Sequence, residues 1–298
     1  MLQKYSDTQR SLKYSCNLFN TNMLSKIISH VCKLIGFYDF ICLMIIGKGF
    51  LLIVLIFCSS ILIGQASTQK KEALLILPGL GSRVNGVGAL KRYYKKADMP
   101  VYIAHYISRK SIKKSVENFD KYYKKHHLAD YQELHVMAYI IGSWTLNQWI
   151  NEHGKGNIKS ILYDRSPLQE RAPAILIKDM RLVNFLLFGK TTQDLIDTPY
   201  PVVTDSSIVK GIFIETFATN LVRKHQKTAL SLGPINWNPE ALQQPYADVT
   251  YMPMNHDQMY TMPQSFGAEV FYFIRNRHFS PSIKKNAPVE NPFIKLKK

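Results

Sequence analysis

The sequence predicts an α/β domain: a mostly parallel sheet flanked by helices, with one helical lid insertion. Three observations carry this. Short, β-rich apolar runs recur from residue 72 to residue 254. Stretches of ten to seventeen residues with helical periodicity separate them, which calls for crossover connections and parallel strands. The rhythm breaks once, between about 168 and 206, and a strand then resumes it.

The first strand is 72–77 (EALLIL), ended by Pro78-Gly79. Residues 86–95 set Val87, Leu90 and Tyr94 at helical spacing, and 101–107 reads as a strand. Ser111 is placed to cap the next helix, whose apolar stripe is Ile112, Val116, Phe119 and Tyr123, with lysines opposite. The run 134–141 is a strand, followed by a helix burying Leu146, Trp149 and Ile150. Strands follow at 158–163, 210–215 and 249–254, and a closing helix sets Phe266, Val270, Phe273 and Ile274 on one side. Within the insertion, Leu176, Met180, Val183 and Leu187 fall at helical spacing, ahead of a loop at Tyr200-Pro201.

Residues 1–66 stand apart from this domain, which spans 67–298. An uninterrupted apolar run at 50–63, followed by Gly64-Gln65-Ala66, has the proportions of a secretory signal with a small-x-small cleavage pattern. Read from Met44 it is a well-proportioned signal peptide. Read from Met1, residues 37–63 become a membrane anchor whose flanking lysines and arginines favour an N-terminus-inside orientation. Either way the domain is expected outside the cytoplasm: periplasmic or secreted if cleaved after Ala66, membrane-anchored otherwise.

All four cysteines precede Ser67, so the domain has no disulfide, thiol nucleophile or cysteine metal site. Removing the six basic and two acidic residues of 1–66 from a net charge of +17 leaves +13 on the domain. Eleven of its lysines and arginines fall within 91–125, a patch suited to an anionic surface, although no nucleic-acid module accompanies it. The histidines show no zinc-binding spacing, and no dinucleotide or Walker motif is present, so no metal or cofactor is expected.

Four landmarks lie in a fixed order. Leu77-Pro78-Gly79-Leu80-Gly81-Ser82 follows the first strand, and a strand–turn–helix spans 136–144. The lid-like insertion follows Pro167, and Asn255-His256-Asp257 follows the last strand. Across residues 72–278 this order resembles the α/β-hydrolase superfamily. The resemblance implies an oxyanion hole at the backbone N–H groups of Leu80 and Ile141, and a general base at His256. It implies an orienting acid at Asp164 or, as the rival matching the commoner placement, Glu215. The nucleophile elbow, small-x-nucleophile-x-small, aligns with Ala138-Tyr139-Ile140-Ile141-Gly142. Isoleucine has no lone pair, so Ile140 cannot attack a substrate. Ser143 lies one helical turn too far on and reads as a helix cap rather than a nucleophile.

Three functions follow. The first is a pseudoenzyme that binds a small-molecule or acyl ligand, or a partner, in the former active-site pocket. The second is an enzyme using a His256–Asp164 dyad as a base. The third is a hydrolase with a non-standard nucleophile such as Ser143, Ser166 or Tyr139.

Overall fold

The protein was analysed as a computed structural model, which describes residues 72–242 and 244–296. The N-terminal extension and its apolar run lie outside the described residues. Among the described residues, no helix is long and apolar enough to cross a membrane. Residues Lys70–Lys298 form a compact unit of their own, distinct from Met1–Gln69.

Six strands form one sheet: β1 (Glu72–Leu77), β2 (Val101–Ile103), β3 (Glu133–Tyr139), β4 (Ile158–Arg165), β5 (Val209–Glu215) and β6 (Ala247–Met252). Their order is β2-β1-β3-β4-β5-β6, and every neighbouring pair is parallel. Strands buried on both faces should read as apolar runs, and β1 does, while β3, β4 and β5 do so over 136–139, 161–163 and 212–214, with polar residues toward their ends. In β1 the alternation is explicit: Ala73, Leu75 and Leu77 enter one core, Leu74 and Ile76 the other.

Helices α3 (Ile112–Lys125) and α4 (Ile140–His153) cover the first face through Val116, Phe119, Leu146 and Trp149. Helices α2 (Gly88–Tyr94) and α11 (Gly267–Asn276) cover the second through Leu90, Tyr94, Val270 and Phe273. A four-residue helix, α1 (Ser82–Asn85), follows β1 directly. Ser111 caps α3, its side chain accepting from the Lys114 N–H.

Two expectations need correction. The strand expected at 101–107 ends at Ile103, because β2 is an edge strand whose ladder stops beside Ile76. Beyond it the backbone turns inward, and the Tyr106 hydroxyl donates to the Pro78 carbonyl at 2.6 Å. The lid is not one helix but three: α5 (Ala172–Asp179), α6 (Arg181–Leu187) and α7 (Thr191–Asp197). Leu176 is buried there, whereas Val183 and Leu187 face outward, so the period in the sequence does not mark one inward face. Two short helices after β5, α8 (Asn220–Lys224) and α9 (Gln226–Ser231), join α5 in a third, smaller apolar cluster.

The strand order reverses direction between β1 and β3. Ligands of open parallel sheets bind at such a point, beyond the carboxyl ends of the strands. Leu80 follows β1, and Ile140 opens the helix that follows β3.

Candidate active site

The turn after β1, whose Pro78 carbonyl accepts from Tyr106, is also held by a second aromatic residue. Helix α10 (His256–Thr261) follows β6 and begins with a capping box between Asn255 and Gln258. That places Tyr260 one turn after His256 on the same helix. The Gly79 N–H donates to the Tyr260 hydroxyl at 2.6 Å, and a Cβ at Gly81 would lie 2.7 Å from the Tyr260 ring. Tyr260 also stacks on Tyr139 at 4.5 Å between centroids, and the Tyr139 hydroxyl donates to the Met259 carbonyl at 2.9 Å. Sequence reasoning missed Tyr260. Its spacing of four from His256 on a short helix was the available signal.

His256 sits against these rings, edge-on to both Tyr139 and Tyr260. Its Nδ1 lies 2.7 Å from Glu215 Oε1 and 3.4 Å from Asp164 Oδ2. The structure therefore brings His256, Asp164 and Glu215 together. The shorter contact belongs to Glu215, the residue the sequence ranked second. Register explains the pairing of acids: Asp164 lies opposite Phe213, two residues before Glu215, so both carboxyls reach the same end of the sheet. Arg165, the neighbour of Asp164, does not pair with it. Its guanidinium pairs with Glu170 and lies 4.0 Å over the Tyr200 ring, tying β4 to the base of the lid.

The three groups are almost wholly buried, and both Asp164 carboxylate oxygens and Glu215 Oε2 have no hydrogen-bond partner. Burial, then the Asp164 carboxyl, pushes the Glu215 pKa well above the usual carboxylate range. Burial opposes charge on His256, but the attraction of Glu215 and Asp164 overrides it and holds the imidazole pKa well above its ordinary value. Both shifts favour keeping a proton on Glu215 and on His256, in a site closed to solvent where an unpaired charge is costly.

Beyond Nδ1, the imidazole lines a cavity of about 400 Å³. Leu80, Ile140, Ile141, Leu176, Met180, Phe188, Leu195 and Leu221 give it an apolar wall. Asn85, Gln169, Thr219, Lys224, His225 and Asp257 supply polar points, with Asn85 donating to Asp257 at 2.9 Å. Leu80, Ile140, Ile141 and His256 thus share one cavity. Helix α4 opens at Ile140 with no side-chain cap, so its first-turn N–H groups are unpaired by its own sequence.

The elbow is also relaxed in shape. A nucleophile elbow holds its central residue in a strained turn, and β-branched residues are outliers at positive φ. Among the described residues, non-glycine positive φ occurs only at His127, Tyr246 and Arg277, so Ile140 is a normal first helical residue. Gly142 keeps the close approach of the motif, since a Cβ there would lie 2.2 Å from the Leu77 carbonyl oxygen.

Ser143 is not the expected cap, because the N-cap is Tyr139. Its hydroxyl is fully buried and donates back to the Ile140 carbonyl at 2.7 Å, so it does not reach the cavity. Ser166 accepts from the Gln169 N–H and is equally buried.

Among the described residues, two groups have metal-ligating atoms within 4.8 Å of one another: Asp164, Glu215 and His256; and Glu72, Glu133 and His135. In the first, Nδ1 is engaged with Glu215. In the second, Arg277 holds Glu133 at 3.0 Å and Ser160 holds His135 Nδ1 at 2.8 Å.

No family model matches the chain, and no curated protein does. Solved structures similar to it include an α/β-hydrolase enzyme from the metagenome of lagoon sediments at Mar Chica, Morocco. That match is 13% identical, covers 70% of this chain and 92% of that one, and has a TM-score of 0.44. An esterase from a Rhodococcus species is 12% identical over 69% of this chain and 90% of its own, with a TM-score of 0.42. A bromoperoxidase from Bacillus anthracis is 12% identical over 69% and 92%, also with a TM-score of 0.42. The chain itself has an α/β fold, one parallel six-stranded sheet in the order β2-β1-β3-β4-β5-β6 flanked by helices.

Proposed function

We propose that this is a ligand-binding protein built on a hydrolase scaffold, and that its ligand is an amphiphile with an anionic head and an apolar tail. The carrying observation is Ile140, in ordinary helical geometry, on the cavity wall where a nucleophile would stand. The lid supplies an apolar lining for a tail. At the other end, imidazolium His256 and the first-turn N–H groups of α4 favour a negative head group. Asp257 works against an anion there, while Lys224 offsets it. The segment at 50–63 supports a location outside the cytoplasm.

A second reading, an enzyme with His256 as general base, is favoured by the 2.7 Å contact to Glu215, which would hold the imidazole tautomer. One experiment separates the two. Dodecanoate should bind the purified protein at least about tenfold more tightly than dodecanol, a preference that one charge-assisted hydrogen bond suffices to give. His256→Gln should abolish that preference. The protein should stay unlabelled by fluorophosphonates and show no burst with activated esters. Labelling or turnover lost in His256→Gln would establish the enzyme instead, and equal affinity for the acid and the alcohol would remove the anionic head.

A further inference from the structure

Helix α6 is built inside out. Of its seven residues only Asn184 is buried, while Leu182, Phe185 and Leu186 are 70%, 67% and 56% exposed. Val183 and Leu187 are exposed as well. An ordinary surface helix turns such residues inward.

This orientation is held by polar contacts. The Thr192 hydroxyl donates to Asn184 Oδ1 at 2.7 Å on the inner side. Arg109 donates to the Phe185 carbonyl at 2.8 Å, and its own carbonyl accepts from the Lys190 N–H at 2.9 Å. The chain leaves the helix through Gly189 at φ +63°, where a Cβ would meet the Arg109 carbonyl at 2.3 Å. Each contact fixes the apolar side outward.

The flanks of this helix are basic: Lys178, Arg181 and Lys190 are exposed along its own stretch of chain, and exposed Lys110 follows Arg109, which holds the Phe185 carbonyl. The carboxylates nearby are engaged elsewhere or lie further off. Asp179 pairs with His225 at 2.8 Å, Asp194 accepts from the Ile112 N–H at 2.8 Å, and Asp197 lies at the far end of α7. An apolar face of this kind inside a cationic rim complements one surface in both respects, a bilayer with anionic headgroups.

We propose that α6 and its basic rim dock this domain on an anionic lipid bilayer, with Leu182, Phe185 and Leu186 entering the acyl boundary. This is independent of what the cavity binds.

The test uses residues 67–298, which contain the whole sheet and all three apolar clusters and have no cysteine. A fluorophore is attached after Phe185→Cys, and in a control after Asp130→Cys, exposed just ahead of the amino end of β3. Vesicles of equal parts phosphatidylcholine and phosphatidylglycerol, carrying lipid-borne nitroxide, should quench the label at 185 and not that at 130. Lys110→Gln with Arg181→Gln should lower vesicle affinity about tenfold or more. Leu182→Ser with Leu186→Ser should abolish quenching while leaving the circular dichroism unchanged. Equal quenching on pure phosphatidylcholine, equal quenching at 130, or none at either position would overturn the proposal. So would a label shielded without lipid, by self-association on gel filtration or by residues 1–66 in the full-length chain, since either result names another occupant.

Discussion

At the scale of single residues, the site turns on how one imidazole is charged. His256 meets two carboxyls through the same nitrogen, and among the described residues neither acid pairs with another cation. A folded pKa raised above the unfolded value gives stability that is complete below the unfolded pKa and is lost as pH rises through the folded one. His256 and Glu215 are both raised, so both contributions fade toward alkaline pH: Glu215's from about pH 4.5 upward and His256's from about 6.5 upward. Glu215→Gln removes one of these groups and weakens the charge that holds the imidazolium. Urea unfolding between neutral and alkaline pH should therefore show a flatter pH dependence in the variant. An unchanged slope would mean that the Glu215 contact does not govern the charge on His256. The ranking of the acids could not be read from sequence, because it depends on how far β5 extends past β4, and register leaves no mark on composition. His256 and Ile140 were legible because each is tied to a turn with its own residue signature.

At the scale of elements, close backbone approach decides where the site can form. Helix α4 begins hard against the end of β1, and Gly142 is the point of contact. Its neighbour is a backbone carbonyl inside a paired strand, which cannot rotate away as a side-chain tip can. Gly142→Ala should thus cost about 3 kcal/mol, the upper end for overpacking a core, and lower Tm by about 5 °C or more. The strands β3, β4 and β5 were legible because both faces of their central stretches are packed, so 136–139, 161–163 and 212–214 are uninterrupted apolar runs, with the polar residues toward the strand ends. The lid was not. Its apolar spacing suggested one inward stripe, yet α6 presents Leu182, Phe185 and Leu186 outward around a buried Asn184. Periodicity reports that a helix has two faces, and it does not report which one meets the protein.

At the scale of the whole molecule, the apolar interior is divided. Two clusters lie on the faces of the sheet, and a third, formed by Leu168, Ala172, Ile175, Ala218, Val222 and Ala229, sits under the lid. The sheet clusters are joined through strands that each pair on two sides. The lid is attached mainly by polar links: Arg171 donates to the carbonyls of Ala229, Gly233 and Pro234, Asn147 to the Pro201 carbonyl, Arg109 to the Phe185 carbonyl, the Thr191 hydroxyl to the Ser108 carbonyl, and the Ile112 N–H to Asp194. A region with a small core of its own and mostly polar ties to the rest opens at lower free energy than the global transition. Amide exchange should accordingly be fastest in α5, α6 and α7 and slowest in β1, β3, β4 and β5. Adding dodecanoate should slow exchange in α5 selectively, because Ala172 and Leu176 line the cavity whereas the central strands lie beneath it. If the lid proved as protected as the sheet without ligand, the third cluster would belong to the same cooperative unit, and entry to the cavity would require another route. If ligand slowed exchange everywhere equally, binding would act on global stability and not on the lid.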